Sequence, residues 1–155
     1  MRRRFAVTYA GAITVGWAYL IATDGFAVGE FTPLPTLTAG FPPGIAAGIL
    51  LSNLPVGPTW HDSMARPRGM IGLKAAVAAT ASFYVVRSAA FGMRAAPETY
   101  DLGLFGVRTI HSPAIIAAMH VVANLPGIGI AGGAGLLSAH VVCQYCDDVA
   151  IYYGR

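Results

Sequence analysis

Thirty-eight consecutive residues, Thr109 to Cys146, carry no formally charged side chain. No other feature restricts the fold as strongly. A water-exposed domain carries roughly a quarter charged residues, spread so that each element has a solvated face. Here the whole chain is 11% charged and 55% hydrophobic over 155 residues. Three more uncharged runs precede the longest one: nineteen residues between Arg4 and Asp24, thirty-one between Glu30 and Asp62, and twelve between Lys74 and Arg87. A helix of roughly 20 apolar residues crosses a hydrocarbon core of about 30 Å. The expected fold class is therefore all-α, a polytopic integral membrane protein with about four transmembrane helices, some of them broken at proline.

Each run has its own reading. FAVTYAGAITVGWAYLIAT after Arg4 exceeds a signal-peptide core and lacks a small-residue cleavage site, so it reads as an uncleaved anchor. Trp17 and Tyr19 sit where an interfacial aromatic belt would form. The run after Glu30 opens with FTPLPTLTAGFPPG, whose four prolines delay helix until Pro42-Pro43. A helix from Pro43 to Asn53 is then too short to cross alone. His61 to Lys74 is polar and basic and reads as a loop, which divides the chain into membrane units 1–69 and 70–155. Met70 to Met93 forms the third apolar segment, with Lys74 able to snorkel and Arg87 toward the other end. Ala95 to Arg108 reads as a mixed-charge loop. As one helix, Thr109 to Cys146 would extend about 57 Å, so Pro126 must divide it. Ser112-Pro113 is a good helix start, and Gly127 to Cys146 is long enough to span. The part before Pro126 is a half-helix, a re-entrant element or one limb of a long kinked helix.

The two halves share a pattern. Pro42 to Pro55 reads PPGIAAGILLSNLP and Pro113 to Pro126 reads PAIIAAMHVVANLP. Seven of the fourteen positions are identical and two more exchange Leu for Val. Two tandem pseudo-repeats are expected, each ending in a helix break at Asn53-Leu54-Pro55 or Asn124-Leu125-Pro126. Each asparagine is placed to bond carbonyls freed by the following proline. Arg2, Arg3, Arg4, Arg66, Arg68, Lys74 and Arg155 fall on one side of four crossings; Arg94 and Arg108 fall on the other, with Arg87 near them. That excess puts both termini on the cytoplasmic or matrix-like side. Both charged ends are expected to be held by neighbouring subunits.

Small residues at fourfold spacing are the clearest packing signal. Gly44 and Gly48 form one GxxxG and Gly129 and Gly133 another, with Gly135 following Ala131 at the same interval. Ala6 and Ala10, Ala12 and Gly16, and Ala75 and Ala79 repeat it. Such pairs share a helix face and let backbones approach closely, which drives association where lipid supplies no hydrophobic force.

Catalytic chemistry leaves little trace. His140, Cys143 and Cys146 share a broad helix face, but a closed metal site needs four ligands from more than one element, so no metal is expected. His120 and His140 would meet across a haem or touch a quinone only if the tract folds back at Pro126. The spans carry almost no carboxylates, which weighs against ion coupling. GIGIAGGAG from Gly127 to Gly135 lacks the preceding strand and later acid of a dinucleotide site. The basic residues punctuate apolar runs instead of forming a nucleic-acid face. The expected function is a non-catalytic accessory or scaffolding subunit of a larger membrane complex, such as a respiratory or other energy-converting one. Its partners would be other integral membrane subunits and bound lipids. The alternatives are a small transporter or channel with a site at the broken helices, and a haem- or quinone-binding membrane anchor. The arginine-rich, acid-free N-terminus favours a mitochondrial inner membrane, with a bacterial or archaeal membrane as the alternative.

Overall fold

The computed structural model describes residues 2–23, 38–52 and 59–152. It holds helices α1 (Arg2–Thr23), α2 (Phe41–Ser52), α3 (Thr59–Ala95), α4 (Pro113–Ala123) and α5 (Leu125–Tyr152). Two short strands, β1 (Glu98–Asp101) and β2 (Val107–Ile110), lie between α3 and α4. Among the described residues three stretches are long and apolar enough to cross a membrane: Ala6–Thr23 in α1, Gly69–Ala95 in α3 and Leu125–Val149 in α5. They support a mostly helical membrane protein. At twelve residues, α2 extends only about 18 Å. Asn53 and Pro55 lie outside the described residues.

Contacts set the direction of each helix. Gly16 of α1 meets Ala79 of α3, and Trp17 one residue on meets Phe83, so α1 and α3 run the same way. Gly16 also meets Pro43 while Gly11 meets Leu50, so α2 runs back along α1. Gly132 lies by Val77, Gly135 by Ala76 and Ala139 by Gly72, so α5 runs back along α3. The first residue of α1 and the last of α5 therefore lie at the same end of the bundle. Gly92 near the end of α3 packs on Pro113 and Ala117, so α4 continues the same antiparallel course. Together α4 and α5 form one long arm with a single interruption at Asn124.

The core has two levels. Leu20, Ala39, Phe83, Tyr84, Ile128 and Ala131 form one, with Trp17 and Tyr19 packed against them. Ala12, Ala47 and Ala75 form the other, where only alanines fit between α1, α2 and α3. Trp17 meets Phe83 edge-on at 5.5 Å between ring centroids. Its indole N–H donates to Ser82 Oγ at 2.9 Å, and the Tyr19 and Thr38 hydroxyls are 2.6 Å apart. Both aromatics thus pack between helices; they do not stand out as a lipid-facing belt. Ala12, Gly16, Ala75 and Ala79 face one another across α1 and α3, whereas Ala6 and Ala10 are exposed.

Two sequence expectations are corrected. The polar stretch His61–Lys74 lies wholly inside α3, which continues from Thr59 to Ala95, so residues 69 and 70 are neighbours in one helix. Pro67 withdraws one N–H from the ladder, which a helix of 37 residues survives. The stretch expected as an irregular loop at Ala95–Arg108 contains a β-hairpin, so the fold is not purely helical. Glu98 pairs with Ile110, Thr99 with Thr109, Tyr100 with Arg108 and Asp101 with Val107. β-Branched and aromatic residues at these positions suit a pleated pair. Gly103 and Gly106 adopt φ of 61° and 71°, which glycine reaches without strain.

A β-carbon at Gly44 would come within 2.8 Å of Gly135 Cα, whereas at Gly129 it would meet nothing within 4 Å. Gly44→Val is expected to destabilise the purified chain by about 1–3 kcal/mol, the range for overpacking. Gly129→Val should stay within about 0.5 kcal/mol of wild type. Reversible unfolding in mixed micelles measures both, and equal losses would contradict the assigned helix faces.

Candidate functional site

The joint between α4 and α5 brings His120 and Asn124 of the arm together with Tyr100 and Glu98 of the hairpin. Proline opens α4, with Ser112 extended before it (φ −85°, ψ 114°) and making no side-chain cap bond. Ile116 turns inward against α3 and is fully buried. One turn later comes His120, and one turn after that Asn124, where the helix is interrupted (φ −90°, ψ −5°). The Asn124 N–H donates to His120 O at 3.2 Å and Val121 O at 3.1 Å. Its side-chain Nδ2 donates to the same His120 carbonyl at 2.7 Å. Helix resumes at once, with the Ile128 N–H donating to Asn124 O at 3.0 Å. Pro126 falls in the first turn of α5, where its missing N–H costs little. The Asn124 amide thus braces His120, one turn back, and not Val122, the residue four before the proline.

Asn124 is only 6% exposed, yet its side-chain oxygen has no hydrogen-bond partner among the described residues. Buried polar atoms are paired in the great majority of cases. His120 packs on Phe91 of α3, with ring centroids 4.2 Å apart, and its Nε2 lies 3.4 Å from the Tyr100 hydroxyl. That hydroxyl donates to Glu98, one step along the same face of β1. Partial burial, then the bond to Glu98 and its negative charge, push the Tyr100 phenol up to about 12. At neutral pH the phenol therefore keeps its proton on the Glu98 side. This row of groups pins the hairpin to α4.

Other residues singled out in the sequence are placed as follows. His120 lies by Phe91 and His140 by Gly69, at opposite ends of a 22-residue stretch of α3, about 33 Å apart. One haem cannot bridge them within the chain. His111 is exposed at the base of the hairpin. Cys143 and Cys146 are free thiols; Cys143 is buried with Sγ 3.8 Å from Gly48 O, facing α2, whereas His140 lies by α3. Among the described residues no three of His, Cys, Asp or Glu converge. Gly44, Gly48 and Gly135 lie in the seams among α2, α3 and α5. Gly129 and Gly133 face away from the other described helices, because α5 presents Ile128, Ala131, Gly135, Ser138 and Ala139 inward.

Sequence reading passed over Gly40, Gly72, Gly92, Phe91 and Tyr100. Gly40 had a visible signal: it extends Gly44 and Gly48 by one more fourfold step. Its backbone rests on the Ala131 carbonyl, as Gly44 rests on Gly135 and Gly48 on Ala139 and Val142. Gly72 and Gly92 stand outside any such series, and Tyr100 sits in a stretch with no helical period. No known protein family, curated protein or solved structure matches this chain.

The raised Tyr100 phenol has a pH consequence. Its contribution to hairpin stability is complete below the ordinary tyrosine value of 10.0 and is lost as pH rises from there to about 12. A tyrosinate absorbance titration should show a late step near the upper value that Tyr100→Phe removes; an unchanged curve would contradict the placement against Glu98.

Proposed function

We propose that the chain is a non-catalytic packing subunit of a larger assembly of integral membrane proteins. The supporting observation is the outward pair Gly129 and Gly133 on α5, each with open space where a β-carbon would be. Leu137 continues this exposed face one turn further on. Inside the chain, fourfold glycine spacing coincides with backbone approach at Gly40, Gly44 and Gly48. The same spacing on an open face suits a helix from another subunit. In this reading α2 belongs to a fourth crossing. The PPGIAAGILLSNLP and PAIIAAMHVVANLP stretches are then two tandem copies of one unit, with both termini on the more basic side. A respiratory or other energy-converting complex of the mitochondrial inner membrane is the proposed setting.

A second reading, a small transporter or channel with its site at the helix break, draws on the unpaired Asn124 oxygen. It requires activity from the isolated chain.

Mild-detergent extraction, native-gel sizing and mass spectrometry of the same band test the first reading. The expected band is a large complex with other integral membrane subunits. Joint Gly129→Val and Gly133→Val should shift the chain to low mass while its unfolding midpoint, measured alone, stays unchanged. Migration of the wild type as a monomer or small homo-oligomer would overturn the proposal, and solute flux through vesicles holding only this chain would favour transport.

A further inference from the structure

The hairpin ends in an apolar tip with nothing of its own to cover it. Its sequence, Leu102 to Val107, is LGLFGV. Leu104 is fully exposed, Phe105 is 77% exposed, and Val107 is exposed beside them. The tip is built, not frayed: the Leu102 N–H donates to Gly106 O at 3.1 Å and the Gly106 N–H to Gly103 O at 2.9 Å. Asp101 Oδ1 accepts from the Gly103 N–H at 2.9 Å. Gly103 and Gly106 have positive φ and open space around them, so they shape the turn and do not serve packing. Strands of four residues offer no apolar face long enough to shelter Leu104 and Phe105.

The position of the tip identifies what covers it. The apolar stretch of α3 ends at Ala95, and the hairpin begins three residues later at Glu98. His120 lies seven residues into α4, about 10 Å from its start. A hairpin continuing straight off α3 would carry Tyr100 about 7 Å the other way. The 3.4 Å contact between Tyr100 and His120 therefore requires the hairpin to bend back over α4. Helix α4 has no charged residue, and it exposes Ile115 and Val122, the latter by 62%. Apolar surface thus continues from the spanning face of α5, over α4, to the hairpin that bends over it. Thr99, Asp101 and Thr109 share the opposite face of the strands from Glu98 and Tyr100, which keeps a polar side on the hairpin.

We infer that Leu104 and Phe105 insert into the boundary between headgroups and acyl chains of the bilayer that holds the chain. The hairpin is an interfacial anchor, and the lipid it takes is bound through apolar contact, without a headgroup charge requirement. Tyr100, Glu98 and His120 set its angle to α4. The inference is independent of the assembly reading, because it needs only this chain and lipid.

Phe105→Trp in the full-length chain, reconstituted alone in phosphatidylcholine vesicles, tests it. The difference spectrum against wild type should be blue-shifted relative to tryptophan in water. It should be quenched more by lipids brominated near the headgroup than by lipids brominated near the chain ends, and little by aqueous acrylamide. A difference spectrum of water-exposed tryptophan, quenched by acrylamide and not by brominated lipid, would overturn the inference and leave the tip to a protein partner. Leu104→Ser with Phe105→Ser gives a second measurement. Amide exchange of Thr99 to Ile110 in vesicles should speed up while the unfolding midpoint in detergent stays at the wild-type value. Unchanged exchange would overturn the inference equally.

Discussion

Absence of side chains along one seam lets the bundle close. Gly40, Gly44 and Gly48 bring the backbone of α2 down onto Ala131, Gly135 and Ala139 of α5 at a constant offset. Lipid gives helices no hydrophobic reason to associate, so their attraction must come from close van der Waals contact over a long line. Gly135 stands at the centre, touching the Gly72 carbonyl and the Ala76 methyl of α3 on one side and the Gly40 carbonyl on the other. With α2 lodged there, Pro43 lies against Gly16, and α1 is carried into place beside Ala79. A β-carbon at Gly135 or Gly16 would meet two neighbouring segments at once, and one at Gly40, Gly44 or Gly48 would push against α5.

A tightly closed apolar bundle must still settle its polar groups. Most of them do so locally. Thr14, Thr23, Ser52, Thr80 and Ser138 each donate to the carbonyl four residues back, at 2.7–2.9 Å, so none needs a distant partner. Ser82 does the same and also accepts from Trp17, which ties α1 to α3. At Asn124, where the helix is interrupted, the side-chain nitrogen also bonds four residues back but the oxygen has no partner among the described residues. The interruption also changes what the arm does. Before it, α4 packs on the end of α3 and carries the contacts to the hairpin; after it, α5 turns a small-residue face to α2 and α3. The two short helices of similar sequence thus have different surroundings, with α2 between α1 and α5 and α4 beside α3.

Long uncharged runs made the membrane-crossing helices legible, because apolar length alone decides whether a helix can span. The fourfold glycines of α2 were legible too, because one helical period puts them on one face whatever they touch. What those glycines touch was not. Gly129 and Gly133 have the same spacing as Gly44 and Gly48 but face away from the chain. The hairpin was missed because its strands are four residues long and mixed in charge, too short for alternation to stand out. The continuity of α3 was missed because a polar, proline-containing stretch resembles a loop until packing extends the helix through it.

By itself the sequence pointed to the solvent: with so few charges and such long apolar runs, most of this surface suits a bilayer. It also determined where a second helix could come close, since glycine and alanine spacing is a property of a single helix. Tertiary structure alone decided which of those faces are used inside the chain and which stay open. It set His120 and His140 beside positions of α3 about 33 Å apart, and it brought Tyr100 to His120. The reason is physical. Spacing along one helix fixes a face, but the partner of that face depends on the rotation and depth of every other helix in the bundle, and those are settled together by close packing.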